Sequence, residues 1–182
     1  MKKLLLICGL IAGVIVSTIM AFNAGRCSST GSYDGNLFIG YASMVLAFSL
    51  IFVGVKNYRD KYNGGAVSFG KAFRIGLWIT LIASSIYVLV WLVDYYFFIP
   101  DFMDKYSAHM IQMAEKSGLS PEKMAGKRTE MAKMVELYRN PLVVILFTYM
   151  EILPVGLVIS VITALILKKK KPHLQHSSPE AV

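Results

Sequence analysis

The sequence predicts an all-α fold of the membrane class: a polytopic four-helix bundle with an extracytoplasmic helical hairpin between its third and fourth helices. Three observations predict it. Four apolar stretches, at 4–22, 37–55, 75–99 and 142–167, match or approach the ~20 helical residues that a ~30 Å hydrocarbon core requires. Only two ionisable residues, Asp94 and Glu151, fall inside them. The chain of 182 residues is 55% hydrophobic and 16% charged, with a mean hydropathy of +0.55, a balance foreign to soluble domains. A backbone in lipid must satisfy its own hydrogen bonds, and runs of this length do so as helices. Residues 1–171 therefore read as one membrane domain. Residues 172–182, polar and bearing Pro172 and Pro179, read as a disordered cytoplasmic tail.

The first run follows Lys2 and Lys3, as in a secretory signal. Its 19 residues exceed the usual ~7–15 of such a signal, and Phe22 stands where a small residue should precede cleavage, so it reads as a retained helix. Gly9, Gly13 and Ser17 recur at every fourth position, a spacing that lets two backbones approach closely in lipid. The second run offers Gly40, Ser43, Ala47 and Gly54, which makes it the expected partner of that stripe. Cys8 lies in the first run and Cys27 beyond it, so no disulfide between them is expected and both read as free thiols.

The connector from Lys56 to Gly65 mixes cations with interfacial aromatics and ends in a turn signal. The residues Gly65 to Lys71 imitate the glycine and lysine spacing of a phosphate-binding loop. Ala72 stands where the magnesium-binding hydroxyl should be, and no strand precedes the segment, so no nucleotide is expected. Three segments of this region, Gly40-Tyr41-Ala42-Ser43-Met44, Phe52 to Asp60 and Val67 to Phe73, carry a resemblance. With Asp101-Phe102 and Glu151-Ile152-Leu153-Pro154, they resemble the bacterial membrane family catalogued as domain of unknown function 4199. The resemblance implies a small four-helix inner-membrane protein and supplies no activity, substrate or catalytic residue.

In the third run, Thr80, Ser84, Tyr87, Trp91 and Asp94 share a helical face rich in hydrogen-bonding groups, which should point toward other helices. Asp94, 20 residues after Arg74, belongs near the outer boundary, where it can snorkel to water. Glu151 in the fourth run is costlier, since a central carboxylate loses ~2.5–3.5 kcal/mol on insertion scales. It should face the bundle, be paired or be protonated; Pro154, three residues on, frees the Met150 carbonyl from its usual partner. Because these two helices run in opposite directions, the acids are expected at comparable depth. Glu151, Asp94 and Tyr87 thus form the candidate intramembrane proton or ion site.

Between these helices, residues 101–140 alternate as a hairpin should. Phe102, Met103, Tyr106, Met110 and Met113 make one apolar face, and Gly118 supplies a stop. Ser120-Pro121-Glu122 opens a second helix, which Met124, Met131, Met134, Val135 and Tyr138 continue to Asn140-Pro141. The methionines suggest soft-metal binding at first sight, but their spacing is that of ordinary helix packing, and no metal or other cofactor is expected. No catalytic constellation appears: His109, His173 and His176 fall on opposite sides of the membrane, and no flanked nucleophile serine exists. The chain does not read as an enzyme.

Charge sets the expected orientation. Lys2, Lys3, Lys56, Arg59, Lys61, Lys71, Arg74 and Lys168 to Lys171 share one side, which the positive-inside rule assigns to the cytoplasm together with both termini. The net charge of +8 therefore marks topology and membrane contact, with no nucleic acid implied. The expected partners are the lipid bilayer and either a second copy or another membrane protein. Two functions remain open: a structural or partner-binding membrane protein, or a small proton- or cation-coupled carrier using Glu151 and Asp94.

Overall fold

A computed structural model describes residues 2–30 and 37–169. The tail at 172–182, with Lys170 and Lys171, lies outside the described residues. The described residues form six α-helices: α1 (Lys2–Thr30), α2 (Leu37–Asn57), α3 (Phe69–Val93), α4 (Phe102–Lys116), α5 (Pro121–Tyr138) and α6 (Pro141–Leu167). Among the described residues, four apolar segments are long enough to cross a membrane: Lys2–Cys27, Phe38–Tyr62, Phe69–Phe98 and Pro141–Leu167.

The ends of these helices follow from local chemistry. α2 runs into a π-turn over Tyr58–Tyr62 and stops at Gly64 and Gly65, whose positive φ angles of 63° and 76° suit only glycine without strain. Val67 then pairs with Lys169 through two backbone hydrogen bonds of 3.0 and 2.9 Å, which ties the connector to the end of α6. α3 ends in a second π-turn, Asp94–Phe98, in which the Ile99 amide donates to the Asp94 carbonyl at 2.9 Å. Gly118 takes φ +69° after α4, and Ser120 adopts extended backbone before Pro121 opens α5. Ser120 sits at the cap position without using its hydroxyl there. Asn140 does cap α6, accepting from the Leu142 amide at 3.0 Å.

The core belongs mainly to α1, α2, α3 and α6, with Phe48, Ile51, Ile79 and Ile152 fully buried. Small residues decide who meets whom. A Cβ on Gly9 would fall 2.7 Å from Ile82 Cβ, and one on Gly13 2.7 Å from Ile86 Cδ1. The stripe of α1 therefore packs on α3, a correction to the expectation that it seats on α2. Spacing announces a close approach; it does not name the partner. α1 meets α2 at the other edge, where Gly54 lies against Ile79 and Cys8. Cys8 and Cys27 are both free thiols.

α3 and α6 pack antiparallel along a seam of small and hydroxyl residues. A Cβ on Gly76 would meet Ser160 Oγ at 2.7 Å, and one on Gly156 would meet Thr80 Oγ1 at 2.8 Å. Thr80 and Ser160 share a 3.3 Å hydrogen bond, and Ser85 meets the Tyr149 hydroxyl at 2.9 Å. Continued by whole turns, this register sets Ser84 beside Ile152 and Val88 beside Thr148, all buried.

The hairpin of α4 and α5 stands on the ends of α3 and α6. Tyr95, Met103 and Val144 are buried at its base. Trp91 meets Phe102 edge-on with centroids 5.2 Å apart, and Tyr138 lies 6.0 Å from Tyr95 and 5.8 Å from Phe147. Arg128 bridges α5 to Glu115 of α4 at 2.8 Å. One member of the expected apolar face is corrected: Met113 is 44% exposed, and Ala114 is buried in its stead. A face defined by large side chains overlooked the small residue that lets the two helices close.

Candidate functional site

Glu151 is the side chain that least fits its surroundings, and three helices determine its position. Ser85 pairs with Tyr149 on one flank of the α3–α6 contact. Two residues further along α6 is about 200° of helical rotation, so Glu151 emerges on the opposite flank. α2 also packs on α6, where Phe48 Cζ lies 3.0 Å from a Cβ built on Gly156. The phenol of Tyr87 in α3, itself buried, interacts electrostatically with the Glu151 carboxyl. Glu151 itself is exposed.

From Glu151 toward the cation-rich end the interior is filled: Ile152, Thr80, Phe48 and Ser160 are all fully buried. Toward the hairpin, Phe147 precedes Glu151 by one turn and carries the Tyr138 ring. Burial and the nearby Glu151 charge push the Tyr138 phenol up. Pro154, exposed in α6, does not interrupt the helix.

The third candidate stands apart. The α3–α6 register sets Glu151 level with Ser85 and Asp94 level with Leu142, a separation of about 13 Å along the axis. The expected common depth of the two acids is therefore corrected. Among the described residues, no hydrogen bond or electrostatic interaction links Asp94 with Glu151. Glu151 also lies three residues from the middle of Pro141–Leu167, deeper than an outer position. Asp94 instead opens the π-turn beneath the hairpin, with Oδ2 buried and lacking a hydrogen-bond partner.

Of this seam, the inward face of Thr80 and Ser84 was legible in the sequence, whereas Gly76, Gly156 and Ser160 were missed, although their signal is plain: small or hydroxyl residues every fourth position on two helices. The stripe in α1 is more conspicuous because its members are mostly glycine. Among the described residues, no group of three histidine, cysteine, aspartate or glutamate side chains is placed to hold a metal ion.

Four apolar spans, an internal polar seam and a carboxyl near the middle of the bundle define a polytopic helical membrane protein. The chain belongs to the family described as Protein of unknown function (DUF4199), whose model matches residues 7–169 and so covers α2 to α6, most of α1 and every candidate residue above. No curated protein and no solved structure matches the chain.

Proposed function

We propose that this is a non-enzymatic, partner-binding structural protein of the bacterial inner membrane, with both termini cytoplasmic and the α4–α5 hairpin outside. The arrangement of cations supports the orientation: Lys2, Lys71, Arg74 and Lys169 gather at the end of the bundle opposite the hairpin. One observation carries the functional reading. Glu151 stands exposed near the middle of α6 beside the buried Tyr87, over an interior that Phe48, Thr80, Ile152 and Ser160 fill without solvent access. A carboxyl at this depth costs a few kcal/mol in lipid unless another group meets it. A polar side chain on a transmembrane helix of a second copy, or of another membrane protein, supplies such a group.

α6 offers the surface for it. Of its most apolar stretch 22% is buried, against 33–44% in the other three spans, so this helix is the one left most open to a neighbour. The exposed Glu151 carboxyl, with the buried Tyr87 phenol beside it, also favours a second reading, a small proton- or cation-coupled carrier. The two separate on Glu151→Gln. Glutamine keeps a hydrogen-bonding end and loses the titratable one, so the structural reading expects the native complex on non-denaturing electrophoresis and unchanged ion flux in vesicles. Loss of a proton or cation flux in that variant, with the complex intact, establishes the carrier instead.

A further inference from the structure

We infer that the cleft between α1 and α3 at the cation-rich end is a binding site for an anionic phospholipid, its phosphate on Lys2, Lys71 and Arg74 and one acyl chain between the helices. The two helices run parallel and are clamped where Gly9 and Gly13 meet Ile82 and Ile86. On the near side of that clamp they part, leaving a cleft of about 850 Å³. Leu5, Leu6, Ile75, Trp78 and Ile82 make its apolar walls, and Ile82 closes it against Gly9.

Length and charge both specify a lipid. From Lys71 to Ile82 α3 rises about 16 Å, roughly one leaflet of a ~30 Å hydrocarbon core. A chain anchored at the cations therefore ends where the cleft ends. Lys2, Lys71 and Arg74 are exposed, and among the described residues none forms an ion pair with a carboxylate. Lys71 lies 5.2 Å from the Tyr58 ring centroid, a contact that positions the ammonium without neutralising it. Among the described residues, no acid lines the cleft. Ser68 and Gly70 bring the first turn of α3 to the same mouth, where its dipole adds to the preference for an anion. Basic pockets between transmembrane helices hold anionic headgroups by these means. A free phosphate would use the cations and leave the apolar slot empty; the slot favours the lipid.

Trp78 in the cleft wall reports occupancy directly. In a Trp91→Phe background it is the sole tryptophan of the chain, and phospholipids brominated on the acyl chain quench it on contact. The full-length protein is reconstituted in vesicles containing brominated phosphatidylglycerol or brominated phosphatidylcholine at equal fraction. Phosphatidylglycerol is expected to bind preferentially, with the preference falling about fivefold for each of the three cations changed to glutamine. The charge-preserving pair Lys71→Arg and Arg74→Lys is expected to retain it, which separates lost charge from lost folding. Equal quenching by the two lipids in the starting protein overturns the proposal. So does a preference that survives removal of all three cations. Abolition of the preference by millimolar inorganic phosphate at constant ionic strength assigns the site to a free anion and also overturns it.

Discussion

Gly156→Ala tests the α3–α6 seam, because the added methyl has nowhere to go. Its carbon would lie within the van der Waals shell of Thr80 Cγ2, 2.8 Å from Thr80 Oγ1 and 3.0 Å from Phe48 Cζ, all in a layer with no solvent access. Overpacking of this kind costs about 1–3 kcal/mol, and the better helix propensity of alanine returns about 0.5–1. The net loss is about 1–2 kcal/mol, or roughly 2–8 °C in Tm for a chain of this size. Thr80→Ser removes the obstructing methyl while keeping the hydroxyl that meets Ser160 at 3.3 Å. Alone it leaves a small void worth about 0.5–1.5 kcal/mol. Together the two changes should cost less than their sum by about 1 kcal/mol, since each occupies the space the other vacates. Thermal unfolding of the four proteins in one detergent gives the coupling. Strict additivity, or a Gly156→Ala protein as stable as the parent, refutes the register that places Gly156 on Thr80.

The remaining contacts are open to similar tests. Gly9→Ala should lower Tm through its collision with Ile82, whereas Gly40→Ala, with nothing within 4 Å, should leave Tm unchanged or slightly raised. Tyr138→Ala removes two aromatic contacts and should speed amide exchange in α4 and α5 by roughly 5- to 150-fold without altering α1 or α2. Lys105, 2.6 Å from Asp101, holds that carboxyl below its ordinary range. A depressed folded value means that the stabilisation is present above the unfolded pKa and lost as pH falls through the folded one. NMR titration should therefore place the Asp101 midpoint below ~3.9, and Lys105→Ala should raise it.

What the residues announced, and what they withheld, divides along one line. Hydropathy over ~20 residues responds to the bilayer alone, and the caps at Gly118, Ser120-Pro121 and Asn140-Pro141 respond to their own backbone. Both kinds of feature were legible. The partner of Gly9 and Gly13 was not, because a smooth face fits any ridge that reaches it, and here Ile82 and Ile86 do. Depth failed for a related reason. Counting from Leu142 places Glu151 along its own helix, but its level against Asp94 depends on Gly156 meeting Thr80, a fact of two helices together. The inward direction of the face of Thr80, Ser84 and Tyr87 was legible from α3 alone, and all three are buried.

The proposal that a partner seats on the Glu151 surface is tested most directly by photocrosslinking in the native membrane. A photoreactive residue is placed at Tyr41, exposed on α2, or at Val158, exposed two turns from Glu151 on the same face of α6, and as a control at Leu89, which is 62% exposed on α3. Discrete protein adducts are expected at the first two positions and none at Leu89, and Glu151→Leu should abolish them. Absence of adducts at both Tyr41 and Val158, or adducts that persist in Glu151→Leu, contradicts the account.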